Sequence, residues 1–136
     1  LTSIIIPDCV TDIGMSIFMN CSSMNSITIS NTLSEISINM FRNCSSLTTV
    51  IIPSSVISLG QSAFHGCGSL TSITIPDSVT NIGICAFNQC VLLSSVTIPN
   101  NVTTIGISAF EACSSLTSII IPDSIKIMSI NVFGFC

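Results

Sequence analysis

The sequence repeats itself every 23 residues, and no insertion or deletion interrupts the period in its 136 residues. A phenylalanine recurs in every copy, at Phe18, Phe41, Phe64, Phe87, Phe110 and Phe133. A cysteine follows each of them by three residues, at Cys21, Cys44, Cys67, Cys90, Cys113 and Cys136. Repeats of this length cannot bury an apolar side alone and bury it by stacking on their neighbours. The period therefore predicts a repeat solenoid.

The period divides the chain into five full copies and a last one of 21 residues. The copies cover 1–23, 24–46, 47–69, 70–92, 93–115 and 116–136, and repeat positions are numbered 1 to 23 within each. Each copy contacts only its neighbours, so we expect a single array over 1–136. Because neither end carries a polar capping segment, we expect the array to be an excerpt of a longer one.

Each copy combines a strand pattern with a compact turn. In the fourth copy, Ile73 and Ile75 flank Thr74, which is the alternation of a strand with one buried side. A proline turn and a second short extended segment follow. Phe87 and Cys90 then stand three residues apart, as on one face of a helical turn. We expect parallel β-strands on one face, and a second short strand plus a short helical turn in every coil, with coils about 4.8 Å apart.

The composition excludes two large classes of protein. The chain is 48% hydrophobic but has only two Lys or Arg and six Asp or Glu, for a net charge of -4. Nucleic-acid binding is excluded because phosphate neutralisation needs basic residues. A membrane span is not expected in this stretch, because polar residues, proline or glycine interrupt every apolar run before 18 residues.

The motif of each copy resembles a known repeat family. The fourth copy carries Leu70-x-x-Ile73-x-Ile75-x-x-x-Val79, with Pro76 inside that stretch and then Ile82, Gly83, Ala86, Phe87 and Cys90. This pattern resembles the 23-residue BspA-like class of leucine-rich repeats. The resemblance implies a right-handed parallel solenoid in proteins associated with adhesion or host contact. It also implies a surface or secreted location, although this stretch holds no signal peptide.

Three substitutions depart from the family pattern. Ser30 replaces the turn proline in the second copy, and Ser37 and Ser129 replace the turn glycine in the second and sixth. These departures bear on the local turn geometry and leave the expected architecture unchanged.

The eight cysteines are interpreted as free thiols. The six periodic ones form an inward row whose expected spacing exceeds the Cβ separation of a disulfide. Zinc ligands come in short C-x₂₋₄-C clusters, and none occurs here. A disulfide or metal role in this row is the alternative. Cys9 and Cys85 occupy positions that are polar in most other copies, so we expect these two to be exposed and to react first.

No catalytic, cofactor-binding or metal-binding residue is expected. His65 is the single histidine, its copy contains no Asp or Glu, and Arg42 occupies the same position one copy earlier. The nearest acidic positions, Glu35 and Asp77, belong to other sides of the coil. We therefore expect no enzyme activity.

Two polar sequence motifs can each be interpreted as structural or as functional. Asp8, Asp77 and Asp123 share repeat position 8, where a calcium row is conceivable but turn chemistry explains the residues better. The triplets beginning at Asn20, Asn43 and Asn101 match the glycosylation motif and are weak signals in a sequence rich in these residues.

The remaining candidate is the outward face of the main sheet, which is uncharged and β-branched. We predict a contact face for a protein or glycan ligand at Ser3, Ile5, Ser26, Thr28, Thr49, Ile51, Ser72, Thr74, Ser95, Thr97, Ser118 and Ile120. Strand propensity alone is the competing explanation. The first functional hypothesis is a noncatalytic interaction or adhesion module. The alternatives are a structural spacer or self-assembling filament, with self-association through open ends, and an ice-binding surface.

Overall fold

The computed structural model describes residues 1–136 and shows a parallel β-solenoid in which each sequence copy forms one coil. We number the coils 1 to 6 in chain order. Paired residues in adjacent coils are 23 positions apart, as in the pairs Ser3 with Ser26 and Leu59 with Ile82. The 23-residue period is therefore the structural register, and the predicted stacking of coils is confirmed.

Nine short strands form two parallel ladders along the stack. They are β1 (Ser3–Ile5), β2 (Ser26–Thr28), β3 (Glu35–Ile36), β4 (Ser58–Leu59), β5 (Ser72–Thr74), β6 (Asn81–Ile82), β7 (Ser95–Thr97), β8 (Thr104–Ile105) and β9 (Ile127–Met128). The main sheet joins β1 to β2 and β5 to β7, and single bridges through Ile51 connect the two pairs. The second sheet has the order β3-β4-β6-β8-β9.

The expected helical turn is wrong, because the segment from repeat position 14 to 21 contains no helix. Two residues per coil have a left-handed backbone, for example Ser62 with φ 54° and Gly66 with φ 72°. Such residues interrupt a helix. The Ser62, Phe64 and Gly66 N–H groups donate instead to carbonyls of the next coil, each at 2.8 Å. A series of four-residue β-turns, such as the one closed by Cys67 N–H donating to the Phe64 carbonyl at 3.1 Å, keeps phenylalanine and cysteine both pointing inward.

The core is a continuous apolar column inside the coils. Its centre is the phenylalanine row, whose adjacent rings lie 5.2–5.7 Å apart with interplanar angles of 2–21°. The four inner rings, from Phe41 to Phe110, are completely buried, whereas Phe133 is half-buried. The phenylalanines are the largest side chains of this core, and each aromatic ring buries a large apolar area. No segment forms a helix with the length and apolar character that crossing a membrane requires.

Glycine at position 14 allows adjacent coils to approach closely. A Cβ atom on Gly83 would lie 2.7 Å from the Leu59 carbonyl oxygen, and one on Gly106 would lie 2.6 Å from the Ile84 nitrogen. Serine at this position is accommodated in coil 2, where the Ser37 hydroxyl donates to the Gly14 carbonyl at 3.0 Å. Thus the glycine of this turn serves close packing between coils.

Candidate interaction face

The main sheet presents alternate side chains to solvent, because successive residues of a strand point to opposite sides. In β2, Ser26 and Thr28 are exposed while Ile27 is buried, and β5 and β7 repeat this pattern. All twelve residues of the predicted contact face are exposed, including those in coils 3 and 6, where the main sheet has no strand. We refer to these twelve residues as the contact face.

Three isoleucines on the contact face are unusually exposed for apolar residues. The exposed fractions are 74% for Ile5, 82% for Ile51 and 84% for Ile120. Shallow depressions flank two of them, with volumes of about 130 Å³ beside Ile51 and about 240 Å³ between Thr97 and Ile120. No charged residue occurs at repeat positions 1–7. The face is therefore neutral, with apolar groups available for contact.

A third depression, which sequence reasoning missed, crosses the side of the second sheet. This groove has a volume of about 420 Å³, and the glycines Gly60, Gly83 and Gly106 lie along it. Polar side chains of the second sheet and two isoleucines line it: Ser58, Asn81, Thr104, Ile84 and Ile107. The recurrent glycine was the available signal, since it leaves space where a side chain would stand.

The structure places His65 in a row with Arg42 and Asn88 at repeat position 19. Its imidazole is half-buried, and the Nδ1 atom is buried without a hydrogen-bond partner. Burial lowers the pKa of His65 below its ordinary value, and the positive charge of Arg42 lowers the pKa further. The predicted Arg42 neighbour is thus present, and the row continues to Glu111, which accepts a hydrogen bond from Asn88 Nδ2 at 3.0 Å.

Two of the three aspartates at position 8, Asp8 and Asp77, take part in hydrogen bonds between coils. Asp8 Oδ1 accepts a hydrogen bond from the Asn31 backbone N–H at 2.8 Å, and the Asp77 carbonyl accepts one from Asn101 Nδ2 at 2.7 Å. Such bonds satisfy free backbone groups at turns. No group of three or more His, Cys, Asp or Glu side chains is arranged to hold a metal ion.

The periodic cysteines are free thiols with a hydrogen-bonding role that sequence reasoning missed. Each Sγ from Cys44 onward donates to the carbonyl of the phenylalanine in the preceding coil, at 3.1–3.2 Å. The expected burial holds for coils 2 to 5 only, because Cys21 is half-buried and Cys136 is exposed. Cys9 is exposed as expected, whereas Cys85 is half-buried.

The sequence that forms these coils matches the model of a known repeat family. The family model described as the BspA type leucine rich repeat region matches residues 1–83 and 34–136, with six copies. The chain belongs to the BspA-type leucine-rich repeat family. The two matched ranges together cover the whole of this BspA-type array.

Solved structures of leucine-rich repeat proteins are similar to this BspA-type array. A protein from Bacteroides ovatus is 36% identical with a TM-score of 0.93, over 98% of this chain and 35% of that chain. The T. pallidum leucine rich repeat protein is 32% identical with a TM-score of 0.87, over 93% of this chain and 59% of that one. This BspA-type array thus spans less than two thirds of either relative.

A third solved relative is described as a leucine rich cell surface protein from Faecalibacterium prausnitzii. It is 28% identical with a TM-score of 0.60, over 88% of this chain and 47% of that chain. A search of curated proteins finds no match to this BspA-type array.

Proposed function

We propose that the array is a noncatalytic interaction module that binds a protein or glycan ligand through the contact face. The observation that carries this proposal is the 74–84% exposure of Ile5, Ile51 and Ile120 on an uncharged sheet. Exposed apolar groups grouped on one surface are typical of interaction sites. Membership of a leucine-rich repeat family is consistent with this role.

The proposed mechanism is multivalent contact. Successive coils present similar hydroxyl and aliphatic groups in register, as the pairs Ser72–Ser95 and Thr74–Thr97 illustrate. Weak contacts on neighbouring coils add because the second and later contacts form at a high effective concentration. A ligand that is itself long or repetitive fits this surface best.

A role in adhesion at a cell surface is part of the proposal. Its support is the F. prausnitzii relative described as a cell surface protein and the association of BspA-like repeats with host contact. No chemistry is assigned to His65 in this role, so a His65→Ala variant is expected to keep full ligand binding.

The experiment compares two isoleucines of coil 3. Ile51 lies on the contact face, whereas Ile57 is 52% exposed at repeat position 11, outside the face. Binding to a panel of purified extracellular matrix proteins and to a glycan array is measured for Ile51→Lys and Ile57→Lys. We expect at least one ligand, with affinity reduced roughly tenfold or more by Ile51→Lys and unchanged by Ile57→Lys. Equal effects of the two variants, or no ligand in the panel, would contradict the proposal.

A further inference from the structure

The side of the coil formed by repeat positions 15–23 differs electrically from the rest of the molecule. Arg42 and Glu111 are its only formally charged residues, and the remaining acidic residues all lie at positions 8 and 12. This side is therefore neutral overall in a chain of net charge -4. We call it the turn face. It is separate from the contact face, and its role is independent of the proposed function.

The two charges of the turn face are too far apart to neutralise each other. Arg42 and Glu111 share position 19 in coils 2 and 5, which places them roughly 15 Å apart at about 5 Å per coil. Arg42 Nε is buried without a hydrogen-bond partner, and Glu111 accepts a hydrogen bond from the neutral amide of Asn88. Half-buried charges that lack an oppositely charged partner favour an external one.

The charges in the row at repeat position 19 are complementary to those of a second copy of the row that runs in the opposite direction. Consider a twofold axis that is perpendicular to the stack and passes between coils 3 and 4. It places coil 3 opposite coil 4 of a second copy, and coil 2 opposite coil 5. Arg42 then faces Glu111 of the second copy, and the same contact forms again across the axis.

Side-chain size follows the same symmetry. In coil 3, Gly66 and Gly68 occupy positions 20 and 22, where coil 4 has Gln89 and Val91. Both coil 4 side chains are exposed. An antiparallel partner therefore sets Gln89 opposite Gly66 and Val91 opposite Gly68.

Exposed aliphatic groups are available beside the charged row. Ile84 and Ile107 at position 15 are 42% and 41% exposed, and Leu92 at position 23 is 49% exposed. In the antiparallel arrangement, Ile107 faces Ile38 of the second copy, whereas Ile84 and Leu92 face the polar residues Gln61 and Ser69. Burial of such groups is the main favourable term in association.

We propose that the turn face is a self-complementary surface through which two copies of this chain pair antiparallel, held by reciprocal Arg42–Glu111 contacts. The partner is a second copy because charge order and side-chain size both match the reversed row. The surface is small, so we expect a dimer of micromolar affinity that weakens as salt screens the two ion pairs.

The test uses charge reversal followed by charge exchange, with dimerisation measured by sedimentation equilibrium. Arg42→Glu and Glu111→Arg each act at both contacts because of the symmetry, and each should raise Kd at least roughly tenfold. The double variant restores opposite charges and should recover most of the wild-type affinity. Glu35→Arg, a reversal outside the turn face, is the matched control and should leave Kd unchanged.

A second variant tests the shape argument without altering charge. A Cβ at Gly68 would meet only Val91 Cγ2, at 3.8 Å, so Gly68→Val is expected to fold. It fills the gap opposite Val91 of the second copy and should raise Kd roughly tenfold. Circular dichroism checks that every variant is folded.

Three results would overturn the proposal. The first is a wild-type protein that stays monomeric up to roughly 1 mM. The second is a double-exchange variant that dimerises no better than the single reversals. The third is a Gly68→Val variant that is folded and dimerises like the wild type.

Discussion

The Cys67 thiol donates a hydrogen bond to the Phe41 carbonyl oxygen in the preceding coil, at 3.2 Å. The same oxygen also accepts the backbone N–H of Cys44 at 3.1 Å. Each inner cysteine thus fills core volume and links two coils through its sulfur. This double use explains why a weakly polar, compact side chain suits a position next to the phenylalanine row.

The rate of thiol alkylation in the folded protein should therefore differ between the exposed cysteines and those of the inner coils. Burial raises the pKa of Cys44 to about 11 and that of Cys113 to about 12, which removes the reactive thiolate at neutral pH. We expect Cys9 and Cys136, which are exposed, to be alkylated first. Mass spectrometry of the adducts over time measures the order. Fast labelling of Cys67 would show that its coil is open.

Cys85 should react more slowly than the sequence alone suggests. It is half-buried, and burial followed by the negative charge of Glu111 raises the pKa of its thiol. The same time course tests this, with Cys9 as the internal reference. Equal rates for Cys9 and Cys85 would contradict it.

Removing an inner phenylalanine should be strongly destabilising. Phe64 is fully buried between Phe41 and Phe87, with ring centroids 5.3 Å away on both sides. We expect Phe64→Ala to lower the free energy of unfolding by about 3–5 kcal/mol. Phe133 is half-buried and has one stacked neighbour, so Phe133→Ala should have a smaller effect.

Denaturant melts measure both phenylalanine variants. Phe135, which is 85% exposed, supplies the control, and its replacement by alanine should change stability by no more than about 0.5 kcal/mol. Equal losses for Phe64→Ala and Phe133→Ala would contradict the stacked core.

Substitutions at two glycines can distinguish a role in close packing from a role in turn flexibility. A methyl group on Gly83 would lie 2.7 Å from backbone atoms of coil 3, whereas one on Gly68 meets only Val91 Cγ2 at 3.8 Å. Gly83→Ala should therefore lower the free energy of unfolding by about 1–3 kcal/mol, because rigid backbone must move. Gly68→Ala should be neutral or slightly stabilising. Thermal or denaturant unfolding of both proteins checks the difference, and a harmless Gly83→Ala change would show that the coils are not in close contact.

Stability should fall on mild acidification because of His65. Burial and Arg42 lower the pKa of His65 in the folded protein, so below about pH 6.5 the unfolded state binds more protons than the folded state. The free energy of unfolding should decrease as pH falls from about 6.5 to about 5, above the range where most carboxylates titrate. A His65→Gln variant should lack this slope. An unchanged slope in that variant would assign it to other groups.

The periodic residues were sufficient to predict much of this molecule. The spacing of Phe18 from Phe41 determined the register, since one residue per coil at a fixed interval has to stack on its equivalent. The alternation around Ile73 likewise predicted which side of the main sheet is exposed, because a strand places successive side chains on opposite sides. The contact face follows from these two facts, and its role stays a prediction.

Other features were decided only by the tertiary structure. The interval of three between Phe87 and Cys90 fits a helical turn and a chain of tight turns equally well, and N–H donation to the next coil selects the tight turns. The function of the position-14 glycine depends on how closely the backbone of the neighbouring coil approaches, as at Gly83. Burial of a given repeat position also depends on having a coil on each side, which is why Cys67 is buried and Cys136 is exposed. Local sequence specifies what each coil can form, whereas hydrogen bonds and contacts between coils determine which of these forms is adopted.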